Sequence, residues 1–208
     1  MAGELGAEEH ALRQYWYSDA TLKLLCELCG REDARRVALL STPSIFYALS
    51  DEDRQKAWLF EFDRRWEEGN DRFVFFDFNE PVERSTPSQL LGAFDLVVAD
   101  PPHINVATLE RYVKVFGALQ APGGKLLLTT AADNEQWVAS ELGAFAANFV
   151  PKSSAAWGLM GRFRLYANYR DPAMSALNEE DFPQGAQEES DGAEEDYAWN
   201  LGMVDHPL

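Results

Sequence analysis

Apolar residues fall into short dense runs separated by amphipathic stretches, and their alternation along the chain predicts a strand–helix repeat. Val37-Ala38-Leu39-Leu40, between the charged turn 31–36 and Ser41-Thr42-Pro43, reads as a buried strand. Further strands are predicted over Ala57–Phe62, Phe73–Phe78, Phe94–Ala99 and Lys125–Thr130, each closed by charge or turn chemistry. Ser18 is suited to cap a helix over Asp19–Cys29 with Gly30 as its stop, and Leu22, Leu25, Cys26 and Cys29 carry the spacing of one buried face. Thr42 and Pro43 start another helix, since proline at the first helical position gives up only an N–H that has no intrahelical partner. A helix over Val106–Leu119 places Val106, Leu109, Val113 and Phe116 on one face, and one over Asn134–Leu142 ends at Gly143. Two strand-like runs, Phe145–Val150 and Arg162–Tyr169, follow with no clear helix between them.

Alternating strands and helices imply parallel pairing, and near-continuous apolar strands imply a sheet covered on both faces. The expected fold is therefore α/β, a doubly wound and mostly parallel sheet, with the last two strands forming an antiparallel hairpin at one edge. Its 208 residues suit one domain, and 46% hydrophobic residues suffice to fill a core. Three segments are expected: an N-terminal arm over 1–13, a folded domain over 14–170, and an acidic tail over 171–208 with little apolar surface to offset the entropy of ordering it. Within that tail Tyr197, Trp199, Leu201 and Met203 form an apolar cluster able to dock on the body or a partner.

Charge changes the picture of partners. The net charge is −17, but the tail holds eleven acidic residues and no Lys or Arg, so the preceding chain carries 18 basic and 24 acidic residues, a balance of −6. An acidic body does not neutralise phosphates, which counts against nucleic acid as a direct substrate and favours a protein substrate. No apolar run is long enough for a membrane span and the N-terminus has no basic-then-apolar leader, so no membrane partner and a cytoplasmic location are expected. Cys26-x-x-Cys29 fits helix-core packing, because the three histidines, His10, His103 and His206, are too scattered to complete a metal site; no metal is expected.

Ligands of such sheets bind beyond the carboxyl ends of the strands, at the point where strand order reverses. That rule marks Ser41–Ser44, Glu61–Asp63, Asp77–Asn79 and Asp100–His103. The last is the most distinctive, an apolar strand running into Asp100-Pro101-Pro102-His103, where two prolines fix the backbone and remove two donors. A carboxylate beside backbone carbonyls accepts two N–H bonds from an amino nitrogen and leaves its lone pair directed elsewhere. The tetrapeptide resembles the Asp/Asn-Pro-Pro-aromatic signature of amino-group methyltransferases that use S-adenosyl-L-methionine, with His in place of the aromatic. Acidic residues at successive strand ends suit the rest of such a cofactor: Glu61 or Asp63 for the ribose hydroxyls, and Asp77 for the adenine amino group beside Phe62, Phe76 and Phe78.

No G-x-G follows the first strand; Ser41-Thr42-Pro43-Ser44 stands there. With Gln14-Tyr15-Trp16-Tyr17-Ser18, Phe60-Glu61-Phe62-Asp63-Arg64-Arg65, Phe75-Phe76-Asp77-Phe78-Asn79, Phe94-Asp95 to Pro102, and Phe163-Arg164 to Tyr169, the chain over about residues 14 to 170 resembles the elongation factor 1-alpha lysine N-methyltransferases. That family was first described as N6-adenine DNA methyltransferases from its Asp-Pro-Pro motif. The resemblance implies a Rossmann-like class I fold, S-adenosyl-L-methionine as cofactor and a lysine ε-amine of elongation factor 1-alpha as acceptor. It implies catalytic positions at Asp100, Pro101, Pro102 and His103, and cofactor contacts at Trp16, Ser41, Pro43, Ser44, Glu61, Asp63, Asp77 and Asp100. Two other functions remain open at this point: N6-adenine methylation of nucleic acid, for which the same turn would grip an exocyclic amine, and a catalytically inactive adaptor that keeps the fold. Tyr15, Trp16 and Tyr17 either close over the cofactor and acceptor or belong to the core.

Overall fold

A computed structural model describes residues 14–153 and 162–178 of the chain. The expectations for the arm 1–13 and for the apolar cluster near residue 200 lie outside the described residues. One seven-stranded sheet organises the molecule in the order β3-β2-β1-β4-β5-β7-β6. Its strands are β1 Val37–Leu40, β2 Ala57–Glu61, β3 Phe73–Phe75, β4 Phe94–Ala99, β5 Gln120–Ala131, β6 Phe145–Ala146 and β7 Phe163–Ala167. The first five pair in parallel, β7 runs antiparallel to β5, and β6 pairs antiparallel with β7 at the edge. This is the doubly wound sheet with a terminal antiparallel pair that the residue pattern predicts. Because the chain steps outward through β1, β2 and β3 and then returns to the other side of β1 as β4, strand order reverses between β1 and β4. The carboxyl ends of those two strands carry Ser41 and Asp100.

Alternation along the buried strands supplies both faces. Leu39, Leu59 and Leu127 join a core beneath helix α1 (Asp19–Cys29), whereas Leu40, Phe60, Phe94 and Leu128 join one beneath helix α4 (Val106–Leu119). Short helices α2 (Pro43–Ala48) and α3 (Asp51–Arg54) and helix α5 (Glu135–Leu142) complete the connections. Local capping sets the helix starts: Ser18 Oγ accepts from Thr21 N–H, and Asn105 Oδ1 accepts from Thr108 N–H at 2.9 Å. Gly143, at φ 58°, closes α5 in the left-handed conformation that glycine adopts without a Cβ penalty.

Both long helices begin and end where expected, but each is rotated from the expected face. In α1 the buried residues are Thr21, Leu24, Leu25, Leu28 and Cys29, with Leu22 and Cys26 only half-buried. In α4 they include Leu109, Tyr112, Phe116 and Leu119, while Val106 is exposed and Val113 half-buried. Tyr112 accounts for the second rotation: its ring packs on Phe76, Phe78 and Phe116, and its hydroxyl finds Ser41 Oγ at 2.8 Å, so a residue outside the expected face belongs inside. Cys29 is buried in the first core as its spacing predicts, and both cysteines are free thiols.

Several strand limits also move. The run expected over Phe73–Phe78 pairs only through Phe75, and the one over Phe145–Val150 only through Ala146. Strand β5 starts at Gln120, five residues before its predicted limit, and its register to β4 jumps from Phe94↔Gln120 to Leu96↔Lys125. Gly124 makes that irregularity possible, since a Cβ there would lie 2.9 Å from the Ala121 carbonyl and 3.0 Å from that of Phe94.

The packed body also continues past residue 170. Asp171 caps the turn Pro172–Ser175, accepts Arg31 Nε at 3.0 Å and Nη2 at 2.8 Å, and Met174 is buried in the first core. Averaged composition hides such an anchor, because one buried Met and one paired Asp suffice to hold a short segment. Met174→Ala is expected to destabilise the protein by about 2–3 kcal/mol, read as a lower denaturant midpoint at unchanged slope. Among the described residues no helix is long and apolar enough to cross a membrane.

Candidate functional site

Above the carboxyl ends of β1, β2 and β4 lies a cavity of about 410 Å³. At the end of β1, Ser41 holds φ 55°, a left-handed conformation that a side chain adopts only under constraint. Its N–H bonds the Phe60 carbonyl at 2.9 Å and its Oγ the Tyr112 hydroxyl, so β2 and α4 hold the turn where other dinucleotide-type folds place glycine. Ser41, Pro43 and Ser44 line this side.

At the end of β2 the adjacent acids separate. Glu61 faces the cavity, its Oε1 accepting the N–H of Phe62 at 2.9 Å and of Asp63 at 3.0 Å. Burial pushes its carboxyl up to about 7, with Asp63 adding to the rise and the two backbone bonds and Arg65 opposing it. Asp63 is not brought to the cavity. It accepts Arg65 Nε at 2.8 Å and Gln14 Nε2 at 2.9 Å and caps the turn Arg64–Trp66. Burial raises its carboxyl, but the bonds from Arg65 and Gln14 outweigh that and hold it below the usual range. Of the two candidates for a vicinal diol, the geometry leaves Glu61. Because Glu61 titrates above its ordinary 4.5, its stabilising share is complete below that pH and is lost as pH rises through about 7. Glu61→Gln is therefore expected to stabilise the unliganded protein by about 1–3 kcal/mol at pH 8 and to change little at pH 4, measured by denaturant titration at both pH values.

Beyond β3, Phe76, Asp77, Phe78 and Asn79 line the cavity, with Asp77 Oδ1 accepting both the backbone N–H of Asn79 at 2.8 Å and its Nδ2 at 2.9 Å. Phe62, 49% exposed, stands at the rim against Phe75.

At the end of β4, Asp100, Pro102 and His103 line the cavity, and Pro101 is buried behind them. Asp100 Oδ1 accepts the Thr129 hydroxyl at 2.7 Å. Burial pushes its carboxyl up to about 6, against the lowering effect of hydrogen bonds from Thr129 and Tyr17. The His103 ring meets the edge of Phe78 at 6.3 Å between centroids. The remaining wall is the segment 14–16, anchored by Gln14 to Asp63 and Arg65 and by Trp16 against Trp66.

The expected site residues Trp16, Ser41, Pro43, Ser44, Glu61, Asp77, Asp100, Pro102 and His103 thus meet around one cavity; Asp63 and Pro101 support it from behind. Tyr17 splits from its neighbours: Tyr15 and Trp16 line the cavity, whereas Tyr17 is buried with its hydroxyl on Thr129. Thr129, Tyr112 and Gln14 were missed, although a Thr pair ending the apolar run Leu126-Leu127-Leu128 was a signal. The lining holds three carboxylates and no Lys or Arg. Such a surface suits a ligand bearing positive charge, hydroxyls and amines, and is poor for a pyrophosphate.

This switch-point cavity on a mostly parallel sheet with an antiparallel edge is the architecture of the Rossmann-like class I methyltransferase fold. Residues 8–171 match the family described as "Probable N6-adenine methyltransferase", and the chain belongs to that family. Among its relatives, EEF1A lysine methyltransferase 1 of Mus musculus is 36% identical over 78% of this chain and 75% of its own length, and that of Gallus gallus 34% over 78% and 76%. Protein-lysine N-methyltransferase EFM5 of Saccharomyces cerevisiae is 29% identical over 80% and 74%. Among solved structures, a branched-chain polyamine synthase from Thermus thermophilus shares the fold at a TM-score of 0.56 and 18% identity, over 80% of this chain and 60% of that one.

Proposed function

We propose that this chain is a cytoplasmic, S-adenosyl-L-methionine-dependent protein-lysine N-methyltransferase whose acceptor is a lysine of translation elongation factor 1-alpha. The observation that carries the reading is the cavity with Asp100 on its wall, three carboxylates and no lining cation, on a chain whose relatives at 34–36% identity are named for methylating EEF1A lysine. The donor set fits the cofactor: Glu61 for the ribose hydroxyls, Asp77 with Phe76 and Phe78 for the adenine, and Ser41, Pro43, Ser44 and Trp16 along the remainder. When bound, S-adenosylmethionine supplies an electrophilic methyl group carried on a sulfonium.

The residues of the chain supply placement. Asp100 is largely ionised at neutral pH, since its carboxyl titrates near 6, and draws an ammonium into the cavity. The same charge raises a lysine's pKa, so Asp100 orients the nitrogen and is not its base; the proton leaves to water or to His103, on the same cavity wall. Holding the amine within near-attack distance supplies most of the acceleration in a displacement of this kind.

Labelled S-adenosylmethionine, offered with elongation factor 1-alpha, total cytosolic protein or total nucleic acid in separate reactions, tests the reading. Label in the elongation factor is the expected result. Label in nucleic acid alone would replace it with the activity in the family's description, and cofactor binding without transfer to any acceptor would leave the inactive adaptor.

A further inference from the structure

We propose that Thr129 and Tyr17 are positioning residues for Asp100, forming a hydrogen-bond relay that sets the orientation of the acceptor-binding carboxylate. The inference rests on the methyltransferase reading above. Thr129 Oγ1 lies 2.7 Å from Asp100 Oδ1, 2.7 Å from the Tyr17 hydroxyl and 3.4 Å from the Ala99 carbonyl. A hydroxyl has one proton to give, and the carboxylate is a stronger acceptor than the equally distant Tyr17 hydroxyl or the more distant Ala99 carbonyl, so Thr129 donates to Asp100. Tyr17 therefore engages Asp100 both through Thr129 and directly. Burial and the nearby carboxylate push the Tyr17 phenol well above its ordinary range, against the lowering effect of Thr129, so the hydroxyl keeps its proton.

Three separate elements deliver these groups. Asp100 follows β4, Thr129 lies on the neighbouring β5 one position beyond the Ala99↔Leu128 pair, and Tyr17 precedes α1. Tyr17 is itself held by a bridge to Ser153 and by the adjacent Ser18 N–H on the Lys152 carbonyl at 2.9 Å. With Oδ1 engaged, the Asp100 carboxyl cannot turn about its terminal bond without breaking a charge-assisted hydrogen bond. An amine held by a freely turning carboxylate would sample misaligned poses, and an error of about 1 Å costs on the order of 10²-fold in rate.

The test uses the full chain with Thr129→Val, which removes the donor at nearly constant volume, Thr129→Ser, which restores it, and Tyr17→Phe. The expected result for Thr129→Val is a turnover lower by about 10-fold or more at unchanged cofactor affinity. The acid limb of its pH–rate profile should also move to higher pH, because a lost donor raises the carboxyl. Thr129→Ser should recover both, and Tyr17→Phe should show a smaller change of the same sign. Glu61 from β2, Asp77 beyond β3, His103 from the turn, Tyr112 from α4 and Tyr15 share or border the cavity and are unchanged in all three variants. A shift specific to position 129 therefore reports on Asp100. Thr129→Val with wild-type turnover and an unmoved acid limb overturns the relay, as does a loss of turnover with no movement of that limb. Titration of the carbon-13-labelled Asp100 carboxyl by NMR needs no turnover. If the wild-type protein methylates nothing, the functional reading fails while the relay is still decided by whether Thr129→Val raises that titration.

Discussion

Asp100→Ala is expected to lower methyl transfer by about 10²-fold or more while cofactor affinity stays within a few-fold of wild type. The carboxylate is held at Oδ1 by Thr129 and lines the cavity with Pro102 and His103, so it is placed to orient an amine. Its removal should not unfold the protein. The Asp100 carboxyl titrates near 6, above its ordinary 3.8; the stability it contributes is complete below pH 3.8 and is lost as pH rises through about 6. At pH 7.5 the wild type carries that desolvation cost, so Asp100→Ala should melt no lower than wild type. Asp100→Asn keeps an acceptor oxygen and should retain more activity than Asp100→Ala, since geometry and not proton abstraction is its role. Single-turnover transfer from labelled cofactor, alongside thermal denaturation and calorimetric cofactor titration, separates these effects. Full turnover in Asp100→Ala with cofactor bound would refute the assignment.

Phe60→Ala should cost about 3–5 kcal/mol, the largest stability loss among these variants. Phe60 is fully buried on β2, with ring centroids 6.4 Å from Phe76 and 5.7 Å from Phe94, each in an edge-to-face arrangement. Truncation removes the packed ring and both aromatic contacts and leaves a cavity that the two neighbouring strands, β1 and β3, cannot collapse to fill. Since the Phe60 carbonyl also accepts the N–H of Ser41, loosening β2 should weaken cofactor binding as well. Urea denaturation should give a lower midpoint at unchanged slope; a loss below about 1 kcal/mol would mean the core repacks around the gap.

Much of this architecture is written locally. The runs at Val37–Leu40 and Phe94–Ala99, the helix Asp19–Cys29 with Ser18 as its cap, and the helix Val106–Leu119 occupy the limits that apolar period and capping chemistry imply. The Asp100-Pro101-Pro102 turn announces itself because proline restricts its own backbone wherever it stands. The helix faces were less legible, since Tyr112 and Thr21 are buried with their hydroxyls satisfied by Ser41 and by Ser18 and Lys152, partners far away or across a cap. Residues 171–178 have the composition of a tail, but Arg31, 140 positions earlier, supplies the partner of Asp171.

The amino-acid sequence alone therefore determined the strand–helix alternation, the acidic strand ends and the rigid Asp100-Pro101-Pro102 turn, all of which depend on neighbours a few positions apart. Folding decided the choice between Glu61 and Asp63, which sit two residues apart: Gln14 and Arg65 claim Asp63, and Glu61 is left facing the cavity. It likewise decided the contacts of Thr129 with Asp100, 29 positions away, and with Tyr17, 112 positions away. Such contacts follow from strand order, and strand order is set by the burial of the whole sheet between its helices, a property that no local window of the chain contains.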